Sequence, residues 1–519
     1  VGQVPYYWNI SANRDATITP RIMSKRGVLF DTEFRYLNRD YEGEAKFQIL
    51  PGDDLRDGDT RSFVKINHQH WLQSGKYYMK IDYNNVSDDE FFTDFGNSSA
   101  TTGQRFMEQF VDLRYLGNRQ SLYMYFRNYQ SIDDTLPAQF GPYKTLPSVY
   151  HYLRGPNLSI EEKGTISLAM SNQFINYERG NSLTGNILSM RPRIEHSYIK
   201  SYLNVRSRLE VQHNQLFLDD PNREFDDNES YTIPTFSIDA TLFTERNIAI
   251  GEKELLQTLE PRLFYLLVPN QDFNHIPNFG SGLYDTTFGS MFYANRFGGN
   301  ARVGDANQIT AGITSRLLDK QNGSEKLRLN IGQVYYFRDR KVTLPGGSID
   351  REDTSELLLE TIATPFESIS FRGNLEWDPD KGRTSKSGLS IRFQPNIDTV
   401  FNLRYRQRKG RFTFQPDIRQ TDLSARIPIT DSVALIGRWN YSLEEKESIE
   451  TFGGIEFESC CWGARIVARR FLKDSDDFDV VHDNSIFMQI HFRGLGGFGK
   501  GGSESFITSG ISGYTDPFE

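Results

Sequence analysis

Cys460 and Cys461 are the only two cysteines in a chain of 519 residues, and they are adjacent. Three kinds of chemistry use such a pair: metal ligation, a redox couple, or two covalent attachment points. A tetrahedral metal shell needs four donors, and no histidine or carboxylate cluster stands beside these sulfurs to complete one. A bond between the neighbours is disfavoured, because consecutive Cα atoms lie ~3.8 Å apart while disulfides span about 4.4–6.8 Å. Adjacent side chains on a strand also point to opposite faces. Each thiol is therefore expected to find its partner elsewhere, in a segment outside this sequence or in another subunit. Two reduced thiols are the plain alternative. Scarce cysteine fits an oxidising envelope compartment.

Other candidate chemistry is weaker. His68 and His70 are spaced to share one strand face, but without a third donor they read as polar residues facing a wet interior. Gly494-Leu495-Gly496-Gly497-Phe498-Gly499-Lys500-Gly501 contains both GxGxxG and GxxxxGK. A phosphate-binding loop needs Ser or Thr after the lysine and a helix starting there. Here Gly501 follows, then the helix-poor stretch Gly502 to Phe506, so the run is expected to be a flexible turn. Cys461 is followed by Trp462-Gly463-Ala464 and lacks a recognisable partner histidine. No catalytic residue is nominated, and the chain is not read as an enzyme.

The elements that must carry these residues alternate with period two. Leu203, Val205, Leu209 and Val211 interleave with Asn204, Arg206, Arg208, Glu210 and Gln212. The same holds for Leu389, Ile391 and Phe393, for Phe401, Leu403 and Tyr405, and for Ile486, Met488, Ile490 and Phe492. Such alternation marks strands with one apolar and one polar face. Polar connectors separate them, notably around 82–104, 218–231, 269–308 and 339–355. Pro5 and Pro20 fall in stretches that otherwise read as strands, Val4 to Ile10 and Asp15 to Arg21. Proline cannot donate to a ladder, so both mark edges, strand starts or a weakened seam.

Composition then selects the architecture. Net charge is −9, which argues against a nucleic-acid partner. Aromatic residues make up 13% of the chain and all hydrophobic residues only 37%, so a thick aliphatic interior is not available. The longest apolar stretch, Leu263 to Val268, is far short of the ~18 residues of a transmembrane helix. A propeller would show blade-length repeats, which are absent. The polar strand faces carry too many charges for the dry gap between stacked sheets, but a water-filled lumen accepts them, with aromatic girdles at the strand ends. The expectation is all-β, a large transmembrane antiparallel barrel over residues 1–519. Its size is about 26 strands, from ~20 residues per strand and connection. A porin or nutrient receptor on a similar barrel, and a soluble β-rich carbohydrate enzyme or lectin, are the rivals. The opening Val1-Gly2-Gln3 begins no signal peptide, so the chain reads as processed or as lacking its original N-terminus.

Particular residues add a family. Pro5-Tyr6-Tyr7-Trp8-Asn9-Ile10, Asp15-Ala16-Thr17-Ile18-Thr19-Pro20, Arg26-Gly27 and Glu33-Phe34-Arg35-Tyr36-Leu37 open the match. Leu259-Glu260-Pro261-Arg262, Ala306-Asn307-Gln308, Gly332-Gln333-Val334-Tyr335-Tyr336-Phe337 and Ser459-Cys460-Cys461 with Ala464-Arg465 continue it. In this order they resemble the LptD family of outer-membrane lipopolysaccharide-assembly barrels, from one end of the chain to the other. The resemblance implies a bacterial outer-membrane protein that receives lipopolysaccharide from a periplasmic bridge (LptA) and releases it into the outer leaflet. It implies a lipoprotein plug (LptE), contact with outer-membrane lipid and no cofactor. It further implies that Cys460 and Cys461 bond to cysteines of an N-terminal periplasmic jelly-roll domain, which this sequence lacks. It places Pro5 and Pro20 at a lateral gate between first and last strands. The gate residues expected are Pro5, Tyr6, Tyr7, Trp8, Asn9 and Pro20 on one side and Ile486, Met488, Ile490 and Phe492 on the other, with Val4 to Ile10 parting from Ser485 to Phe492.

Overall fold

A computed structural model describes the chain except residues 97–103, 134–135, 252, 411–415, 477–478, 493–495, 499–503 and 518–519. Among the described residues there are 28 strand segments in a single sheet, with every pairing antiparallel between chain neighbours. Gly2–Gln3 and Tyr6–Ser11 both lie along Arg14–Met23, and Asn228–Leu242 and Thr244–Ile250 both lie along Lys253–Val268. Each of these two pairs is one interrupted strand. The segments therefore make 26 strands, the last being the three-residue piece Gly496–Phe498. The structure is a large all-β barrel built of sequential hairpins.

The two rims differ. One carries only tight turns, such as 38–40, 117–119, 200–202, 431–432 and 459–461. The other carries the connections 87–105, 220–227, 269–305 and 337–356. Between the rims the alternation resolves into two surfaces. Leu168, Leu209, Leu263, Ile331, Leu435, Ile455 and Ile466 are exposed on the outer face. Exposed aromatics mark the strand ends, with Tyr202, Phe243, Phe366, Phe393, Phe401 and Trp462 at the short-turn rim and Phe217, Tyr335, Phe337, Trp377 and Trp439 at the long-loop rim. An apolar band between two aromatic girdles is the surface of a barrel set in lipid.

The inner face holds charge in pairs. Arg208 meets Glu195 at 2.8 Å, Arg262 meets Asp239 at 2.7 Å, Arg316 meets Glu260 at 2.6 Å and Arg426 meets Glu456 at 2.9 Å. Strand positions facing water need no apolar partner, so the lumen accepts what a packed interior would refuse.

Near the long-loop rim the inner face changes character. Along Leu203–Asp219 the inward positions run polar through Glu210, Gln212 and Asn214, then become Leu216 and Leu218, both buried. These join Ile187, Tyr231, Ile233, Phe264 and Val268 in a core closed by Phe273, Ile276, Phe279, Phe292 and Phe297 of the 269–305 connection. That connection, expected from its polarity to be a solvated loop, is a folded insert packed inside the wall. Arg296 anchors it to Asp305 at 2.9 Å. Burial raises the Asp305 carboxyl, but the Lys341 and Val342 amides and the Arg296 guanidinium outweigh it and hold the group below the usual carboxylate range. The 87–105 connection does the same on the other side, with Phe91, Phe92 and Phe95 of its short helix against Leu29, Leu50, Phe63 and Val86.

Glycine makes the close approach possible at Gly312, which pairs with Arg262 on the neighbouring strand. A Cβ there would meet Phe292 at 2.8 Å and Phe288 at 2.9 Å, closer than side-chain carbons ever sit. Gly312→Val should push both rings and their segment off the wall. The expected result is a larger single-channel conductance in planar bilayers and a stability loss of about 1–3 kcal/mol, measured by heat-dependent gel mobility.

Candidate functional site

The two ends of the sheet meet in a seam, which must be built from the first hairpin and the last. Pro5 divides the first strand: Gly2–Gln3 pairs with Ile22 and Arg21, then Tyr6–Ser11 pairs from Ile18 onward. Continuing that register sets Val4 opposite Pro20 and Pro5 opposite Thr19, so both prolines fall on the same part of one hairpin. What remains between the segments is a single long bond, Val4 N–H to the Pro20 carbonyl at 3.4 Å. The expected strand Val4 to Ile10 is thus found as Tyr6–Ser11, with Val4 and Pro5 in a break that separates it from Gly2–Gln3, because Pro20 opposite Val4 has no amide hydrogen to return. Pro20 itself stays inside Arg14–Met23, opposite Phe30 on the next strand.

Tyr6, Trp8 and Ile10 share the lipid-side face with Ile18 and Ala16, while Tyr7 and Asn9 turn inward. All of Tyr6–Ser11 is exposed, since only Arg14–Met23 flanks it. At the other end the strand runs Asp479–Phe492, longer than the expected Ser485 to Phe492. Ile486, Met488 and Phe492 are exposed on the outer face, and Ile490 is partly covered. The glycine run expected to be only a flexible turn supplies Gly496–Phe498, paired with Ile490 to Phe492. Gly494, Leu495, Gly499, Lys500 and Gly501 lie outside the described residues.

Among the described residues no ladder joins Tyr6–Ser11 to Asp479–Phe492. Direction explains why. Every neighbouring pair is antiparallel, and both strands end at the short-turn rim, so they run the same way. An antiparallel bond pattern cannot form between strands of the same sense. The expected pairing of Val4 to Ile10 with Ser485 to Phe492 is therefore corrected: Ser485 to Phe492 lies in the penultimate strand, and the last strand, Gly496–Phe498, is the one with the sense that closure against Tyr6–Ser11 requires.

The cysteines sit in the turn 459–461 between Glu447–Glu458 and Trp462–Asp476, at the short-turn rim. The Ser459 amide donates to the Trp462 carbonyl at 2.9 Å and closes the turn. Because they lie in a turn and not in a strand, the opposite-face expectation fails. Their sulfurs are 2.9 Å apart, both exposed and presented outward from the same rim.

His68 and His70 also depart from expectation. Arg61 and Phe63 point inward from the same strand, which places the histidines on the outer face, beside exposed Ile66 and Leu72. His68 Nδ1 shares a hydrogen bond with the Tyr36 hydroxyl at 2.6 Å, and Tyr41 stacks near His70 at 5.4 Å. Tyr36 lies across Gly43, where a Cβ would collide with its ring. The group belongs to the aromatic girdle and not to the lumen.

One functional segment was not anticipated. The helix Glu504–Gly510 and the chain to Pro517 line the inner wall beside the last strand, where the sequence reads as helix-poor. Phe506 meets Phe487 at 5.2 Å and Phe452 at 5.3 Å, Tyr514 donates to Glu456 at 2.5 Å, and Arg465 meets Asp516 at 2.6 Å. Phe506, Ile507, Gly510 and Ile511 make an apolar stripe of helical spacing, and that was the available signal. The tail ties the strands from Arg383 to Phe492 together and so stiffens one bank of the seam.

Fold and site together define a membrane β-barrel with a lined, polar lumen, an interrupted first strand and an unladdered seam. The LptD family profile, described as LPS transport system D, matches residues 59–439. The LPS-assembly protein LptD of Nitrosococcus oceani is 33% identical over 99% of this chain and 68% of its own length. That of Alkalilimnicola ehrlichii is 33% identical over 98% and 67%. The chain belongs to the LptD family of LPS-assembly proteins and spans about two thirds of those relatives' length. A siderophore receptor, PirA of Pseudomonas aeruginosa, superposes with a TM-score of only 0.32 at 10% identity, covering 88% of this chain and 76% of that one, too low to bear on the fold.

Restoring the amide hydrogen at the interrupted register should lengthen the first ladder. Pro20→Ala is expected to restore the bond to the Val4 carbonyl, slow hydrogen exchange around Val4 and stabilise the hairpin by about 0.5–1.5 kcal/mol, from one added bond, while Pro5→Ala should add no bond within it. Unchanged exchange in Pro20→Ala would show that Pro20 does not set the break.

Proposed function

We propose that this chain is the outer-membrane translocon barrel of lipopolysaccharide assembly, passing the glycan through its lumen while the acyl chains leave sideways through the seam. The observation that carries this is the seam itself: the first strand is interrupted at Val4-Pro5, and among the described residues no ladder joins Tyr6–Ser11 to either Asp479–Phe492 or the last strand, Gly496–Phe498. Each methylene exposed to water costs ~0.8 kcal/mol, so drawing several acyl chains through a charged lumen would cost tens of kcal/mol. A sideways opening keeps sugar in water and hydrocarbon in hydrocarbon. Backbone groups facing lipid must be bonded, so the seam is also the one place where parting strands expose little that was paired.

The two rims support the orientation. Outer-membrane barrels keep short turns toward the periplasm and long loops outside. On that rule the Cys460-Cys461 turn faces the periplasm. There the thiols can bond to cysteines of a periplasmic N-terminal domain, and that domain would receive lipid from the bridge protein LptA. The lipoprotein LptE would occupy the lumen. Pro5, Pro20, Tyr6, Tyr7, Trp8, Asn9, Ile486, Met488, Ile490 and Phe492 form the banks of the gate. A porin would have no use for the paired thiols or for the packed inserts.

Two measurements test this. A photo-cross-linking residue at Trp8 or Met488 should capture lipopolysaccharide in living cells, while the same residue at Leu209, on the far outer wall, should not. Equal capture at all three would remove the seam from the pathway. Cys460→Ser with Cys461→Ser should abolish the oxidised form of the full-length protein on non-reducing gels and lower lipopolysaccharide export. Retention of that form would mean that the thiols hold nothing.

A further inference from the structure

Most inner-wall arginines answer to a carboxylate, but a group on three consecutive strands does not. Arg372 lies on Ile369–Asp378, Arg392 on Arg383–Phe393, and Arg404 and Arg406 on Val400–Arg408. Arg372 and Arg404 both stand opposite Ser390, and Arg406 stands opposite Gly388, so these positions share the lumen face. Among the described residues none of the four makes an ion pair. Arg406 reaches only the Gln420 carbonyl oxygen at 2.7 Å, and Arg392 only the Asn402 carbonyl oxygen at 3.1 Å and Ser512.

The nearby acids are committed elsewhere. Asp422, opposite Arg404, holds Arg438 at 2.7 Å, and Glu450 takes the other side of Arg438 at 2.5 Å. Glu360 accepts the Phe288 amide of the 269–305 insert at 2.9 Å. In a chain of net charge −9 this local excess of cations is not a by-product of composition. Arg372 and Arg404 flank Ser390 from either side and Arg392 is the next inward position along its strand, so the cations repel one another and nothing in folding calls for the arrangement.

Space accompanies the charge. A cavity of about 580 Å³ opens over these strands, lined by Arg372, Asn374, Ser390, Arg404, Arg406 and Gln420 among others. Gly388 leaves its floor low, and a Cβ there would collide with the Asn374 carbonyl oxygen. The insert bonds Glu360 on the cavity's lining, and the tail bonds Arg392, the next inward position along the strand from Ser390.

We propose that Arg372, Arg404 and Arg406, with Arg392 at the rim, form a docking site for the phosphate or carboxylate groups of an anionic oligosaccharide passing through the lumen. Guanidinium forks match such oxyanions in bidentate fashion, and flanking amide and hydroxyl donors suit sugar hydroxyls. Because the forks stand in water and share no carboxylate, the site holds its ligand without trapping it. This rests on the transport role proposed above and adds where the glycan pauses.

The test uses the purified barrel in detergent with two probes: a deacylated, phosphorylated lipopolysaccharide core oligosaccharide and inorganic pyrophosphate. The wild type should bind the oligosaccharide with an affinity that falls as salt rises, and enzymatic dephosphorylation should weaken it at least tenfold. Arg372→Gln, Arg404→Gln and Arg406→Gln combined should weaken it at least tenfold, with a melting temperature equal to or above wild type. Lys320→Gln, in a short turn, should leave binding intact. Equal binding by the triple variant, or equal binding of the dephosphorylated sugar, would overturn the site. Pyrophosphate binding without oligosaccharide binding would reduce it to a free-anion site and overturn the glycan assignment. If binding is lost in the triple variant but lipopolysaccharide export in cells is undiminished, the role in passage fails while the seam mechanism stands. If photo-capture at the seam fails but this binding holds, the transport pathway is wrong and the anion site remains.

Discussion

In hydrocarbon every backbone amide and carbonyl must find a protein partner, and the rest of this molecule follows from that requirement. A sheet in lipid has to close on itself, and a sheet of sequential antiparallel hairpins closes cleanly only when its first and last strands run in opposite senses. Here Tyr6–Ser11 and the last strand, Gly496–Phe498, have the opposite senses that closure needs, but among the described residues no ladder joins them. The seam between the chain's two ends is therefore the line where parting the sheet breaks the fewest existing bonds.

The lumen obeys the complementary rule. Its wall can be charged only where water reaches, and it turns apolar where chain segments fold inward. Leu216 and Leu218 lie beneath the 269–305 insert, Leu29 and Phe63 beneath the 87–105 connection, and Ile436 and Val467 beneath the C-terminal tail. Three separate cores inside a hollow cylinder leave a charged middle zone between them.

How much of this could be read from the sequence depends on which physical signal each part emits. Period-two alternation is local, so the strands at Leu203 and Phe401 and the barrel class were legible. Facing direction is not local. His68 and His70 alternate correctly, yet which face met lipid depended on the inward placement of Arg61 and Phe63 one turn of the pattern earlier. The phase change at Leu216 looks like a continuing strand, because an inward leucine under an insert and an outward leucine under lipid are the same letter. The vicinal cysteines pointed to partners outside the sequence. Their place in a turn depended on a Ser459 to Trp462 bond that no spacing rule announces. The seam's sense was invisible for a different reason: it is set by the parity of all preceding hairpins, and one interrupted strand counted as two would reverse it.

That parity also decides what the prolines can do. Pro20 withholds the amide hydrogen that would answer the Val4 carbonyl in the first hairpin, whereas Pro5, one residue on from the bonded Val4 and Pro20 pair, withholds a donor on the other side of its strand, toward the seam. Each missing bond is worth about 0.5–1.5 kcal/mol, against the tens of kcal/mol at stake in wetting several acyl chains. They therefore cannot power or permit transfer by themselves. The two banks of the seam are also built unequally: Tyr6–Ser11 is flanked by Arg14–Met23 alone and interrupted at Val4-Pro5, whereas the other bank is packed from within, Phe506 lying against Phe487.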